Sequence, residues 1–213
     1  MAETFKLPKD WNQPYVDEAA PWDTGVPSEL LQRVLRDHAI EPTRTLEIGC
    51  GTGTNAIFLA QQGFSVTAVD VAPLAIEQAK QKAAAAGVDV DFRVVDLLQP
   101  GAAAELTGGT PYSFVFDRGV YHCLRKENLE AFLGTMKDIF TPDAIYVALA
   151  GNAEDDQPLD LGPPQVHAHE LASELHPLFR LIELRECRFG GVVIDGASVE
   201  PLAWTAVLRR RAD

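Results

Sequence analysis

The chain has 213 residues, 46% of them hydrophobic, enough for one sizeable core, and its formal net charge of -13 argues against a nucleic-acid partner. Cys50, Cys123 and Cys187 are far apart, which excludes a zinc spacing or a disulfide framework and suits a reducing compartment. The first residues lack the apolar core of a signal peptide and no apolar run reaches the length of a membrane span, so a cytoplasmic protein with no membrane partner is expected.

Residues 1–25 have no clear period but hold Phe5, Trp11, Tyr15 and Trp22. Aromatics this dense pack against something, and the segment alone favours a strap over a core face above a lid over a ligand pocket. Ser28 can cap a helix carrying Leu30, Leu31, Val34, Leu35 and His38 at helical spacing, ended by Glu41-Pro42. From Thr43 strands and helices alternate: a strand over 45–48, a helix over 55–62 closed by Gly63, and a strand over 65–70. An Ala-rich helix follows from Pro73 to Gly87, then a strand over 90–95, a weak helix and loop over 99–109, and a strand over 112–116. Leu129, Phe132, Leu133, Met136 and Phe140 mark an amphipathic helix, and 144–150 a fifth strand. This alternation predicts an α/β fold, a doubly wound and mostly parallel sheet with helices on both faces. Residues 151–166 read as a long loop rich in acids and prolines, 168–175 as a short helix, and 181–189 and 202–209 as an antiparallel pair of strands. Between that pair, Gly190-Gly191 and Asp195-Gly196 are turn signals, and Arg209-Arg210-Arg211 reads as a solvated tail.

The chain is organised around residues 45–55, T-L-E-I-G-C-G-T-G-T-N, a strand, a tight glycine turn and a helix start. Glycines admit positive φ and close ligand approach, and the helix start adds free N–H groups. The spacing Gly49-x-Gly51-x-Gly53 departs from the dinucleotide fingerprint, because Thr54 stands where the third glycine belongs. Glu47, two residues before the first glycine, is badly placed for a pyrophosphate and well placed for a cationic ligand. Asp70, ending the second strand, suits a carboxylate accepting two ribose hydroxyls. Asp96 ends the third strand and can accept from an adenine amino group while Val71 and Leu97 sandwich the ring. Asp117-Arg118 ends the fourth, so four strands end in polar residues on the edge where open α/β sheets bind ligands.

These residues, E-I-G-C-G-T-G-T, V-D-V, V-V-D-L and F-D-R-G, resemble the class I S-adenosylmethionine-dependent methyltransferases over roughly residues 22–209. The resemblance implies a seven-stranded sheet with an antiparallel C-terminal hairpin and S-adenosyl-L-methionine as cofactor. It implies that Glu47, Gly49 and Gly51 line the methionine end, that Asp70 holds the ribose, and that Asp96 and Leu97 hold the adenine. Cys50, Thr54 and Asn55 on the same turn, Val71 and Asp117 complete the expected cofactor set. Trp22-Asp23-Thr24-Gly25-Val26-Pro27 is similar to the W-D-x-G-x-P entrance motif of the thiopurine and thiol/halide S-methyltransferase branch. That likeness implies an N-terminal lid, residues 1–27, with Trp22 near the sulfonium, over a single methyltransferase domain of residues 28–213.

The chemistry fits a small soft nucleophile: a thiol, a selenium or tellurium species, or a halide. In-line displacement needs alignment and a dry pocket, and a cation that raises the thiolate fraction helps. Arg118 is the candidate cation. Tyr121 and His122, on the loop that follows, can take a proton from an alcohol or amine acceptor. Cys123 is read as packing. His167-x-His169 can bind a metal on a strand but has no third ligand nearby, so none is expected. The expectation is a methyltransferase of a small molecule, monomeric or weakly dimeric. An O- or N-methyltransferase of a small metabolite and a non-catalytic cofactor-binding regulator are the alternatives, and Glu47 with Thr54 argues against a nicotinamide oxidoreductase.

Overall fold

The computed structural model describes residues 10–155, 164–190, 192–194 and 197–212. They fall into two compact units, one of Lys9–Val95 with Gly190–Glu200, the other built on Asp96–Phe189 with Pro201–Asp213. In chain order the elements are α1 (Gln13–Val16), α2 (Glu29–Asp37), β1 (Arg44–Ile48), α3 (Thr54–Gln61), β2 (Ser65–Asp70), α4 (Pro73–Ala86) and β3 (Asp91–Val94). Then come α5 (Ala102–Thr107), β4 (Tyr112–Arg118), α6 (Tyr121–Asp138), β5 (Phe140–Asn152), β6 (Gln165–Val166) and α7 (Ala168–Leu175). The chain closes with β7 (Phe179–Arg188), β8 (Val192–Ile194), β9 (Ala197–Val199) and β10 (Leu202–Arg210).

In the first unit β1, β2 and β3 form a parallel ladder, with Glu47 opposite Ala68 and Ile48 opposite Val69. Thr45, Leu46, Glu47 and Ile48 are all buried, as expected of a strand covered on both faces. The Ser28 hydroxyl caps α2 by accepting the Leu31 N–H at 3.4 Å, and Leu31 and Val34 point inward. Helix α4 opens on Pro73, buries Ala75, Ile76, Ala79 and Ala83 at helical spacing, and stops at Gly87. Its small side chains allow a close approach. A Cβ on Gly53 would lie 2.8 Å from the Phe92 ring and 2.9 Å from Ala79, so Gly53 lets α3, α4 and β3 meet.

In the second unit β4 runs parallel to β5, β10 is antiparallel to both β5 and β7, and β6 extends the parallel pairing at the end of β5. Three long strands in one unit and four in the other supply the seven expected, and the two-residue β6 adds to them. The antiparallel pairing of β7 with β10 agrees with their expected relation. The rings of Phe140, Tyr146 and Phe179 pack edge to face or tilted, with centroids 5.0–5.9 Å apart.

Four local expectations are corrected. Helix α6 begins at Tyr121, and Asn128, with φ -159°, interrupts it before the apolar stripe. Tyr121, His122 and Cys123 therefore stand on a helix, not a loop, and Phe140 starts β5 rather than ending α6. The loop expected over 151–166 is shortened by the extension of β5 to Asn152 and by β6; its acid Asp156 and its prolines Pro158 and Pro163 lie outside the described residues. The connection between β7 and β10, read only as turns, carries the antiparallel pair β8 and β9; the Asp195-Gly196 turn lies outside the described residues, as does Phe5. Arg210 and Arg211 are not a solvated tail. Arg210 is buried and donates to the Leu178 carbonyl at 3.2 Å, and Arg211 Nε donates to the His176 and Phe179 carbonyls at 2.9 and 3.1 Å. These side chains tie the end of the chain to the turn between α7 and β7.

Candidate functional site

The glycine turn between β1 and α3 lies in the first unit. Gly49, Gly51 and Gly53 have φ of 61°, 53° and 80°. Asp70, at the end of β2, faces the turn: Oδ2 accepts the Gly51 N–H at 2.8 Å and Oδ1 accepts the Ala72 N–H at 2.9 Å. Burial raises its pKa, and the N–H groups of Ala72, Gly51 and Val71 oppose that rise by favouring the charged form. A carboxylate has about four lone-pair positions, so these two bonds leave each oxygen able to accept a ribose hydroxyl. The residues present fit a nucleoside ligand. Val71 beside it is 43% exposed, an apolar surface suited to one face of a base.

Cys50 donates its N–H to the Val69 carbonyl at 2.9 Å, and burial together with Asp70 and Glu47 keeps its thiol protonated. Glu47 is 1% exposed, and Asn55 Nδ2 donates to its Oε1 at 3.2 Å. Asn55 Oδ1 accepts the Ser28 N–H at 2.9 Å. One amide side chain therefore joins the acid of β1 to the start of α2. Thr54 opens α3, half-buried.

The N-terminal segment is fastened to this turn. Tyr15 is buried against Ala72 and Ala75, and its hydroxyl lies 3.0 Å from where a Gly51 Cβ would be. Trp22 Nε1 donates to that hydroxyl at 3.1 Å, and the Trp11 and Trp22 rings meet edge to face at 5.9 Å. Burial, with Asp70 as the next cause, raises the Tyr15 pKa, so the phenol stays neutral. Thr52 Oγ1 donates to Asp23 at 2.7 Å, Lys82 lies 3.6 Å from the same carboxylate, and Asn12 Oδ1 accepts the Leu74 N–H at 2.8 Å. Sequence reasoning named Tyr15 only as one of the strap's aromatics, and missed Asn12, Asp23, Thr52 and Lys82 as its attachments. Of these, Asp23 lies inside W-D-T-G-V-P and Thr52 inside E-I-G-C-G-T-G-T, while Asn12 and Lys82 carried no visible signal.

The second unit holds the remaining candidates. Asp96 accepts the Leu98 N–H at 2.9 Å and Gln99 Nε2 at 3.0 Å, and Leu97 is buried beneath it. Asp117 is fully buried and accepts from Val120 N, Tyr121 N and Tyr146 Oη at 2.7, 2.9 and 2.9 Å. Burial pushes its pKa up to about 6 against these bonds. It is the knot of the turn between β4 and α6. Arg118 leaves that turn, its guanidinium 5.4 Å from the centroid of the Phe189 ring.

The His122 ring meets the same Phe189 edge to face at 6.3 Å. Its Nδ1 accepts the Gly151 N–H at 2.8 Å, which fixes the proton on Nε2. Burial lowers its pKa to about 3, a hydrogen bond with the Gly119 backbone opposes that, and Arg118 and Arg125 add to it. Tyr121 Oη donates to Glu174 at 2.6 Å, and burial with that carboxylate raises the phenol's pKa. Neither group is free to take a proton from an acceptor. Burial likewise raises the pKa of Cys123. His167 caps α7, bonds Glu154 at 2.9 Å and stacks on His169.

A family profile described as a methyltransferase domain matches residues 45–143. The 2-heptyl-1-hydroxyquinolin-4(1H)-one methyltransferase of Mycobacteroides abscessus is 28% identical over 153 residues, covering 71% of this chain and 64% of that protein. A probable thiol methyltransferase of Arabidopsis thaliana is 28% identical over 72 residues, covering 34% of this chain and 32% of that protein. The chain thus spans less than two thirds of the length of either relative. A solved S-adenosylmethionine-dependent methyltransferase of Anabaena variabilis superposes with a TM-score of 0.79 at 20% identity, covering 99% of both chains. The fold is the Rossmann-like methyltransferase fold, and residues 45–143 within it match a methyltransferase domain.

Proposed function

We propose that the chain transfers a methyl group to a small soft nucleophile, a thiol or a related selenium, tellurium or halide species. The cofactor, when bound, supplies an electrophilic methyl group on a sulfonium. Glu47, Gly49, Cys50, Gly51, Thr54 and Asn55 hold its methionine end, Asp70 the ribose hydroxyls, and Val71, Asp96 and Leu97 the adenine. Residues 1–27 are the lid, with Trp22 toward the sulfonium, and residues 28–213 are the methyltransferase domain.

One observation carries the soft-nucleophile reading. Asp117, Tyr121 and His122 are all buried and engaged within the protein, so none serves as general base. An acceptor that arrives already ionised needs none. Arg118 supplies the cation that favours the anion, and Phe189 orients it. Asp117 acts by setting the turn from which Arg118 projects. The name of the Arabidopsis relative adds support. The net charge of -13 supports a protein without a nucleic-acid partner, which we place in the cytoplasm as a monomer or weak homodimer.

A second reading, methylation of an acidic hydroxyl, rests on the name of the Mycobacteroides relative, whose substrate is a hydroxyquinolinone. Mass-spectrometric screening of thiols, selenols, iodide, phenols, N-hydroxy heterocycles and amines for the gain of one methyl group tests both. Turnover confined to amines or unactivated alcohols overturns both, because those acceptors need a base. Tight cofactor binding with no product across the panel favours a non-catalytic regulator.

A further inference from the structure

Two residues of the N-terminal segment take the left-handed backbone, Glu18 at φ 52° and Gly25 at φ 66°. Glutamate rarely does so, and a Cβ on Gly25 would meet nothing within 4 Å, so that glycine serves the bend and not close packing. Between them lie residues 19–24, A-A-P-W-D-T. The chain on either side is tied down within the same compact unit. Before the segment, Tyr15 is buried against Ala72 and Ala75, and Asn12 Oδ1 accepts the Leu74 N–H at 2.8 Å. After it, Ser28 donates its N–H to Asn55 Oδ1 at 2.9 Å.

The segment itself is held by small and polar contacts. Ala20 packs on the Tyr15 cluster, and Trp22 Nε1 donates to Tyr15 Oη at 3.1 Å. Asp23 then reaches Thr52, a residue of the glycine turn that is 2% exposed. The single proton of a hydroxyl fixes the directions here. Lys82 Nζ, from α4, donates to Thr52 Oγ1, so that oxygen's own proton goes to Asp23 Oδ2 at 2.7 Å. Lys82 Nζ also lies 3.6 Å from the same carboxylate oxygen.

All of these contacts are made by the chain alone, so the segment is fastened in the free protein. The fastening is weak. The Lys82 side chain is 44% exposed and that of Asp23 21%, and an ion pair so placed is screened by salt and holds little. What it fastens is a roof. Tyr15 Oη, which Trp22 bonds, lies 3.0 Å from where a Gly51 Cβ would be. Among the described residues, and chain neighbours apart, no other heavy atom is within 4 Å of that point. The glycine turn beside Asp70 is thus open on this side except for the strap.

We propose that residues 19–24 form a flap that gates the glycine turn, hinged at Glu18 and Gly25 and latched by Asp23 on Thr52 and Lys82. Because the latch closes with or without a ligand, it governs how fast a nucleoside ligand enters and leaves more than how tightly it binds. A weak latch suits a gate: an element of low local stability opens often without unfolding its neighbours. This inference rests on the lid of the proposed function and adds the moving segment, its hinges and its catch.

The test is stopped-flow mixing of the full chain with S-adenosylhomocysteine, followed by tryptophan fluorescence. That probe has no net charge at neutral pH, so salt does not steer its encounter. A gate multiplies association and dissociation by one factor, the fraction of time it is open. Lys82→Gln should raise both rates about threefold, the size expected of a part-exposed ion pair, and leave Kd within about twofold. Salt at about 1 M should do the same to wild type and little to Lys82→Gln. Gly25→Ala strains the closed hinge without touching the latch, so both rates should rise and their salt dependence should remain. The proposal is overturned if Lys82→Gln changes neither rate or dissociation alone, if wild-type rates ignore salt, or if Gly25→Ala leaves both rates as in wild type. Trp22→Phe tests the lid reading beneath it. With Trp22 toward the sulfonium, the loss of affinity should be larger for S-adenosylmethionine than for S-adenosylhomocysteine. Equal losses overturn that placement alone and leave the gate standing on the rates.

Discussion

His122 Nδ1 accepts the backbone N–H of Gly151 at 2.8 Å, so the imidazole that the sequence offers as a base is the tie between the start of α6 and the end of β5. The tie depends on a neutral ring, and that gives it a pH signature. The folded pKa, about 3, lies below the ordinary value near 6.5. A depressed histidine contributes stability that is present above the unfolded pKa and is lost as pH falls toward the folded one. His122→Gln, whose amide oxygen can accept the same N–H, should therefore reduce the acid sensitivity of folding. Relative to wild type, the slope of unfolding free energy against pH should drop by about 1.4 kcal/mol per unit between pH 6 and 4. Urea melts across that range measure it, and an unchanged slope would contradict a buried neutral His122.

Asp117 titrates in an overlapping window with the opposite sign. Its folded pKa of about 6 exceeds the usual carboxylate value, so ionising it costs stability as pH rises from about 4 to 6. Asp117→Asn removes that cost but also removes one acceptor, shared among Val120, Tyr121 and Tyr146. The variant should melt lower than wild type at pH 5, and the gap should narrow by pH 7. A gap that widens with pH would reverse the assigned direction.

Asp70→Ala removes both acceptors from the mouth of the turn and should weaken S-adenosylhomocysteine binding by about 1.5–3 kcal/mol, on the order of 10- to 100-fold. Calorimetry reads this directly. Unchanged affinity would mean that Asp70 serves only the N–H groups of Gly51 and Ala72.

Gly53→Ala should act on folding before it acts on binding. The added methyl would lie 2.8 Å from Phe92 and 2.9 Å from Ala79, at a φ of 80° that side chains rarely adopt. A loss of about 1–3 kcal/mol is expected, seen as a lower Tm with or without cofactor. Wild-type stability would show that α3 and α4 have room to separate.

Tyr121→Phe separates structure from catalysis. The variant loses one bond to Glu174 and about 1 kcal/mol of stability. With a thiol acceptor, kcat should stay within about threefold of wild type, since a general base contributes at least about 100-fold. A drop of that larger size would restore Tyr121 as the base.

The first half of the chain was legible because its periodic elements are bounded by strong local signals. Ser28 opens α2, Pro73 and Gly87 bracket α4, and β-branched residues mark β2. The start of α6 was not legible. Its first turn, Tyr121-His122-Cys123, is held by Asp117 and by residues far along the chain, Gly151 and Glu174, and such contacts leave no periodic trace. Cofactor candidates showed because a nucleoside demands particular residue types at strand ends. The burial of Arg125 did not show, because a charged residue on a helix reads as surface until Glu170 and Glu174 of α7 are brought against it. The strap was visible as aromatics but not as attachments, since Asn12 and Asp23 bond to Leu74 and Thr52, tens of residues away.

The amide of Asn55, donating to Glu47 and accepting from Ser28, makes this position intolerant of a carboxylate. Hydrolysis of that one side chain to a carboxylate leaves the bond to Ser28 intact, but turns its other end from a donor into a second negative charge facing Glu47. Asn55→Asp would thus set two acids against each other at the floor of the glycine turn, and a Tm below that of wild type at neutral pH would record the cost.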